Sequence, residues 1–530
     1  MRYIYSLRRK KAREETDLRK YKKEIIKVLE SLNIFEKQNC IVVKKQSFEF
    51  SFSGCLDQKE LQKMGRQLAK LKGGWGGFAR QNNKVFALLS EDSSKEESEQ
   101  VLVEFIDQTT LNMDDEDSDM PQWVRTYRRI ELSTAHISKE NARKIFKYYS
   151  EEKNNVFLAE VRYRHLSEEQ YARYLETNDV KENTYVVETL YSAGVYQLDF
   201  IDLAEVEKIR EIYPDEQENI DKIINMEAEA YENEKEYIND NLDKNSKYIL
   251  TVYNAGQGLA TSLALCEDNQ CDQFNQLPFF YFDYGIGYGN NRFTVPKNIQ
   301  LPIDEKGTII LSHVHEDHWC GFRINNKALK CRWVVPQKVK RMGLKKLLAS
   351  VVLAGGSFSR QDIKGNYKIR IKNACKYLMI GNEKSTIKPS RVPKDAHQTG
   401  CSLYVFALYD KEKFRIVISG DQDYDYQNQR YLKSVNLLVA CHHGGPYSWS
   451  KKTPIPTPDS KKNKIIYSYG KNNKHNHPSK VNVYYGGGWK NDYHTPNGDY
   501  KIEIELMDDY NMQNIMNINL NRVQKYCIDL

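Results

Sequence analysis

The sequence predicts an α/β domain over residues 248–530, preceded by an α+β N-terminal region, and three observations predict it. The texture changes at Tyr248, where "YILTVYNAGQGLATSLAL" and "LPFFYFDYGIG" form successive apolar runs with glycine-rich ends. Beyond it, "TIILSHVHEDH", "FRIVISGDQDY" and "LLVACHHGG" repeat one plan, a buried strand that runs out into histidines and carboxylates. The preceding half mixes strand-like and helix-like patterns and assembles no comparable cluster. Carboxylates and histidines gathered at the ends of several central strands are the general recipe for an α/β reaction centre.

The elements follow in order. Residues 6–34 read as a basic helix, "CIVVKKQSFEFSFSG" as a strand pair, residues 58–71 as a helix, and "KVFALLS" as a strand after the "GGWGG" turn. That turn is not a phosphate loop, because no lysine and serine or threonine follow it. "NMDDEDSDMP" reads as a solvated loop whose spacing does not match a calcium-binding helical hand. Residues 1–121 are taken as an α+β domain of open role. In the mixed region 122–247, "ISKENARKIFKYYS" reads as a helix and "NNVFLAEVRY" and "TYVVETLYSAGVYQLDF" as strands. An acidic helical segment over 204–242 closes that region and suits a surface or partner-facing element. His136 and His165 are isolated and read as structural.

Composition narrows the class. A chain of 530 residues is too long for one ordinary core. Apolar content of 40% with 12% aromatics argues for folded protein rather than disorder. No run approaches the roughly 20 apolar residues of a membrane span. "MRYIYSLRRKKAREETDLRKYKKEIIKVL" carries charge where a signal peptide has its apolar segment, so a cytoplasmic protein without a membrane partner is expected. Ten cysteines without a C-x-x-C pair read as reduced thiols packed in cores. The net charge of +7 is unevenly spread: residues 91–119 hold twelve acids and one lysine. Arg323, Lys327, Lys330, Arg332, Lys338, Lys340, Arg341, Lys345 and Lys346 follow the central histidine motif. Such asymmetry suits an anionic substrate, with a solvated face as the plainer alternative.

In "SHVHEDH", His313 and His315 are two apart, so on extended backbone both rings point to one side and share an ion. Asp317 and His318, on the turn that follows, serve a second. Imidazole with carboxylate suits zinc, iron or manganese. Asp421 in "VISGD" is the expected bridging carboxylate, with Gly420 letting the backbone approach. "VACHHGG" offers His442 and His443, His442 being favoured and His443 retained. His397 in "AHQTGCSLYV" either completes the first ion or lines the pocket.

On these residues the domain resembles the metallo-β-lactamase superfamily, whose hallmark is a strand followed by H-x-H-x-D-H. Within it, the chain is most similar to the branch that includes the nuclease-like domain of the bacterial DNA-uptake protein ComEC. The similar segments are "YNAGQGLATSL", "FYFDYGIG", the motif from His313 to His318, "SGD" ending at Asp421, "HHGG" at His442–Gly445 and "SYGKNNKHNHPSK" at Ser468–Lys480, in the family's order. Two departures stand out. His397 occupies a position where the branch usually has asparagine, and the uptake protein's multi-span membrane portion is missing.

The resemblance implies an αββα sandwich with two divalent ions, Zn or Mn, at one edge, and hydrolysis by an activated water. It implies that Asp317 is both ligand and orienter of the nucleophile. Asp283 becomes an acceptor behind the ligating histidines, or a turn cap. Lys471 and Asn473 become candidates to hold a phosphate oxygen and His477 a proton donor, with an ordered polar loop as the alternative. The expected substrate is nucleic acid, cleaved at its phosphodiester. In "GGGWKNDYHTPNGDY", Trp489, Lys490 and Tyr493 suit a single-strand clamp, or else core and hairpin, since "NG" is a turn signal. The alternatives are hydrolysis of a cyclic nucleotide, lactone or thioester, and a metal-stabilised scaffold whose N-terminal half binds a partner protein. Redox use is disfavoured, because His315 stands where the iron-oxidoreductase branch has glutamate.

Overall fold

The computed structural model describes residues 5–9, 40–45, 48–53, 84–89, 100–107, 121–127, 132–138, 140–142, 157–165, 184–189, 193–201, 222–223, 225–231, 247–266, 277–336, 341–361, 365–371, 376–382, 400–445, 455–508, 510–512 and 524–529. The chain divides into two compact units. One comprises Met1–Val85, Val161–Thr184 and Tyr196–Asp199; the other Phe86–Glu160, Tyr185–Val195 and Phe200–Leu530. This division runs across the composition-based boundaries at 121/122 and 247/248. Its physical basis is a shared core, in which Phe86, Ile106, Trp123 and Tyr127 pack in one apolar cluster with Tyr253, Trp319 and Leu344.

The first unit holds a three-stranded antiparallel sheet, with Phe48–Ser53 between Tyr5–Arg9 and Cys40–Lys45. The expected strand pair is therefore present. Tyr5–Arg9 is a strand where a helix from residue 6 was expected, and its alternation of Tyr5 and Leu7 with Ser6 and Arg8 has the period of two that a strand requires. The helix expected over 58–71 and the "GGWGG" turn lie outside the described residues.

The larger unit is α/β and is built on a mixed sheet of fifteen strands. In chain order these are β1 (Lys247–Val252), β2 (Ala260–Cys266), β3 (Phe280–Tyr284), β4 (Thr308–Ile310), β5 (Arg332–Pro336), β6 (Ser357–Gln361), β7 (Gly365–Ile371) and β8 (Lys376–Asn382). Then come β9 (Ser402–Tyr409), β10 (Glu412–Ile418), β11 (Leu437–Val439), β12 (Lys464–Tyr467), β13 (Asp492–His494), β14 (Tyr500–Leu506) and β15 (Gln524–Asp529). The main order is β6-β5-β4-β3-β2-β1-β14-β9-β10-β11-β12-β13, with β8 joining β9 to β7 and β15 at the side. Antiparallel pairs occupy the middle, and each end is a run of four parallel strands, β3 to β6 and β10 to β13. The helices used below are α1 (Gln122–Tyr127), α2 (Met342–Leu353) and α3 (Val481–Gly486).

Side chains alternate between faces, as the strand period requires. Ile310 of β4 shares a buried cluster with Ile416 and Ile418 of β10, Leu437 and Val439 of β11 and Ile466 of β12. Their neighbours turn the other way: Ile309 joins Trp333 and the α2 leucines, while Val417, Leu438 and Ile465 join Tyr484 of α3. The parallel runs at both ends of the sheet thus contribute one face to a common core and cover the other with separate clusters. Short, fully buried strands such as "TII" and "LLV" are what a parallel run covered on both faces demands.

Three local expectations change. Asn497–Gly498 does not close a hairpin, because β13 pairs with β12 while β14 pairs with β1 and β9. Cys320, Cys331, Cys401 and Cys441 are buried thiols, but Cys266, half-buried at the end of β2, is disulfide-bonded rather than a packed thiol. Of the acidic segment 204–242, Tyr231 forms an antiparallel bridge to Phe358 on the edge strand β6. Among the described residues no helix is long and apolar enough to cross a membrane.

Candidate metal centre

The ligand-type residues come from strand ends in a repeated geometry. β4 ends at Ile310 and His313 follows three residues later; β10 ends at Ile418 and Asp421 follows at the same interval; β11 ends at Val439 ahead of His442 and His443. Gly420 has φ +54°, and a Cβ there would stand 2.6 Å from both Cβ and Oγ of Ser312. Only glycine allows β10 to deliver Asp421 so close to the β4 loop. Asp283, His442 and His443 also adopt left-handed φ, at 58°, 50° and 57°. Non-glycine residues pay roughly 1–2 kcal/mol for that conformation, and such strain concentrates at functional sites.

Two donor sets result, His313 with His315 and Asp421, and Asp317 with His318 and His443; the ligand atoms of each set lie within 4.8 Å of one another. Asp421 joins the sets. Its Oδ2 faces Nε2 of His313 at 3.6 Å, and its Oδ1 faces Nε2 of His318 at 3.3 Å and of His443 at 3.8 Å. Asp317 faces Nε2 of His443 at 3.4 Å and of His318 at 3.9 Å. The pairing of His313 with His315 and of Asp317 with His318 is the one that spacing predicts. Of the last pair, His443 is the one that falls within a donor set. His443 is buried within a set, while His442 is a quarter exposed at its rim, with Nε2 3.8 Å from Oδ2 of Asp421. His397 lies outside the described residues.

Hydrogen bonds behind the rings decide which nitrogen points inward. Nδ1 of His318 donates to Oδ2 of Asp283 across 2.8 Å, and Nδ1 of His443 donates to the Ser468 carbonyl across 2.7 Å. Asp283 is itself held by the Ser312 N–H at 2.6 Å, so its carboxylate ties the β4 loop to the His318 ring. With Nδ1 protonated, each ring directs the Nε2 lone pair at carboxylate oxygens. Opposite these two buried Nε2 atoms stand the carboxylates of Asp317 and Asp421. Lone pairs aimed at carboxylates in a buried site require a proton or a metal cation between them. The residues therefore fit a metal ion.

The facing charges also shift one another's protonation. Burial alone would favour neutral carboxyls, but the facing imidazoles, His318 foremost, outweigh it and hold Asp317 and Asp421 below the ordinary carboxylate range. Against the same burial, the carboxylates, Asp421 first, lift His318 and His443 above the usual imidazole value.

The loop after β12 divides its residues by role. Nδ1 of His477 meets Nε2 of Gln257 at 2.9 Å, and its ring lies 5.1 Å from that of His442 and 6.0 Å from that of His443. Burial first, then the His442, His443 and His475 rings, push its pKa down to about 2. At neutral pH His477 is a neutral imidazole presenting Nε2–H, a hydrogen-bond donor rather than an imidazolium. Asn473 is spent on the loop itself. Its Nδ2 donates to the carbonyls of Gly470 and His477, and its Oδ1 accepts from the N–H groups of His475 and His477. It shapes the loop and has no donor left for a phosphate. Lys471 is exposed on the same loop.

The expected stacking platform is also reassigned. Trp489 is 2% exposed in the core and donates Nε1–H to the Pro456 carbonyl. Tyr493 packs edge-on against Tyr500 and reaches the Gly498 carbonyl with its hydroxyl. Lys490 alone of the three is exposed. The basic run divides as well: Arg341, Lys345 and Lys346 are buried, Lys327 and Lys330 pair with Glu305, and Lys338 and Lys340 lie outside the described residues.

Gln257 is the residue that sequence reasoning passed over. Buried at 2% exposure in the "YNAGQG" turn, it holds His477 with Nε2 and the Gly470 N–H with Oε1. Its only signal was its place between two glycines. Compared with known proteins, the chain matches no protein-family model and no curated protein.

Proposed function

We propose that this chain is a metal-dependent hydrolase of the metallo-β-lactamase superfamily, acting on phosphodiesters. The observation that carries the reading is the pair of buried donor sets joined by Asp421 at the ends of β4, β10 and β11. The apolar cluster shared by the sheet's two parallel runs supports an αββα sandwich.

His313, His315 and Asp421 would hold one divalent ion, and Asp317, His318, His443 and the shared Asp421 a second, Zn or Mn by donor chemistry. Such ions supply Lewis acidity, acidifying water and drawing charge from a phosphoryl oxygen. The chain's own residues do the rest. Asp317, a quarter exposed, has a carboxylate at the open side of its set to orient an attacking water. His477 offers its Nε2–H to the leaving oxygen. Asp283 and the Ser468 carbonyl keep His318 and His443 in the tautomer that ligates.

Nucleic acid is the favoured substrate. Phe293, 53% exposed, carries the Lys474 ammonium 5.9 Å from its ring centre. The two loops bearing this pair are joined by the Lys474 N–H to Asn291 Oδ1 and, through Thr294, to Gln257 and so to His477. An exposed ring beside a cation suits a base and its phosphate. A small cyclic phosphodiester is the second reading, favoured by burial of three of the basic residues expected at the surface. Turnover of the Zn- or Mn-loaded chain on single-stranded DNA, duplex DNA, RNA and cyclic nucleotides separates the two. Activity on the last alone selects the second reading. Unchanged turnover in Asp317→Ala with Asp421→Ala overturns both.

A further inference from the structure

A line of buried charge runs up to the back of the metal loop from strand 100–107. Helix α2 starts at Met342 with no side-chain cap from Arg341 and no acid in its first turn. The first N–H groups of a helix need acceptors and favour negative charge. Glu104 supplies both from more than two hundred residues away: its Oε1 accepts from Met342 N–H at 2.7 Å and Gly343 N–H at 3.4 Å. From the same helix start, Nη1 of Arg341 donates to Oε2 of Glu316 at 2.9 Å. Glu316 opens the 3-10 turn Glu316–His318, which bears Asp317 and His318. The space beside Gly343 is filled by Oε1 of Glu316 and the Trp319 ring, which lie 3.6 and 3.5 Å from where a Cβ would stand. Trp319 in turn ties back to the Val314 carbonyl at 2.9 Å.

Glu104, Glu316 and Arg341 are all under 8% exposed. Burying three ionisable side chains is expensive, and apolar residues of similar volume would commonly match or exceed their stability. Their geometry supplies something an apolar core would not, a directional hold on one turn. We infer that Glu104, Arg341 and Glu316 are positioning residues of the metal centre, setting the turn that carries Asp317 and His318. Strand 100–107 is thereby a working part of that centre. The inference rests on the metal reading above.

The test is a Co²⁺ titration of the full chain, followed by visible absorption, with the thermal midpoint of the metal-free protein measured alongside. Glu316→Met with Arg341→Met removes the charge pair and keeps volume. It is expected to leave the metal-free midpoint unchanged or higher, to weaken Co²⁺ binding about 10- to 100-fold, and to alter the absorption band. Glu104→Gln is expected to weaken Co²⁺ binding in the same direction, and it decides the matter alone if the double variant does not fold. Wild-type affinity and spectrum in the variants overturn the positioning role while the metal centre stands. Failure of the wild-type chain to bind Co²⁺ overturns the metal reading, and this inference with it.

Discussion

One carboxylate oxygen of Asp421 lies 3.3 Å from Nε2 of His318, and the other turns away toward His313 at 3.6 Å. A residue divided in this way is common property of both donor sets. Asp421→Asn should therefore empty both sites, whereas His315→Ala should empty only the first. Metal content per chain, measured after dialysis, checks this. Loss of several kcal/mol of Lewis-acid stabilisation corresponds to about three decades of turnover. Retention of one tightly held ion in Asp421→Asn would show that the carboxylate does not bridge.

Asp283 tests the layer behind the ligands. Its φ of 58° is a conformation that asparagine also tolerates, so Asp283→Asn preserves the backbone and removes the charge facing Nδ1 of His318. Metal affinity should fall about 10- to 100-fold, while Asp304→Asn, on an exposed turn, serves as the control. Equal affinities in the two variants would leave Asp283 as a turn residue only.

How much of this was legible depends on where the deciding partner lies. The split of His313 and His315 from Asp317 and His318 follows from the strand period over six adjacent residues, and the Gly420–Asp421 approach from glycine's missing Cβ. The order of His442 and His443 does not, because it is set by left-handed backbone at both and by a carbonyl at Ser468. The basic run misleads for a related reason. Charge is visible in a sequence but burial is not, and α2 is enclosed from Met342 to Val352, so its lysines and Arg341 point into the protein. Asn473 and Trp489 carry the chemistry of a binding residue and spend it on Gly470, His477 and Pro456.

The Gln257–His477 contact separates catalysis from binding. Gln257→Leu removes the donor at Nδ1 and the acceptor for Gly470 N–H while keeping a side chain of similar length. Removing one preorganised hydrogen-bond donor to developing charge costs about 10²- to 10³-fold. A loosened His477 should therefore lower kcat by roughly one to two decades, with KM little changed. A change confined to KM would place His477 in substrate binding instead.

Trp489 and Phe293 make opposite predictions. Truncating Trp489 to alanine opens a cavity in the core and should cost about 3–5 kcal/mol of stability. Phe293→Ala removes an exposed ring and should leave Tm within a degree or two, while weakening single-strand binding by about 1–3 kcal/mol. Thermal melts and fluorescence anisotropy with a labelled oligonucleotide make the comparison. Tight oligonucleotide binding by Phe293→Ala would remove this ring from the substrate path.

Lys345 gives a pH dependence whose sign can be worked out. Its Nζ donates to the Met226 carbonyl at 3.0 Å and lies 5.4 Å from the Tyr127 ring centre. Burial pushes its pKa down to about 8, against the pull of Glu104 and Glu227. An unfolded lysine titrates near ~10.4. Between those two values the unfolded chain binds more protons than the folded one, so stability from this group rises with pH through the window. Below the window both states are protonated and the full cost of the buried charge is present. Lys345→Met never carries that cost, so any advantage it holds over wild type at pH 7 should shrink by pH 10, by an upper bound of ~3 kcal/mol at 1.36 kcal/mol per pH unit. Unfolding midpoints of both proteins at the two pH values read this directly. A constant difference between the curves would mean that the ammonium is solvated and that α2 is less enclosed than its burial implies.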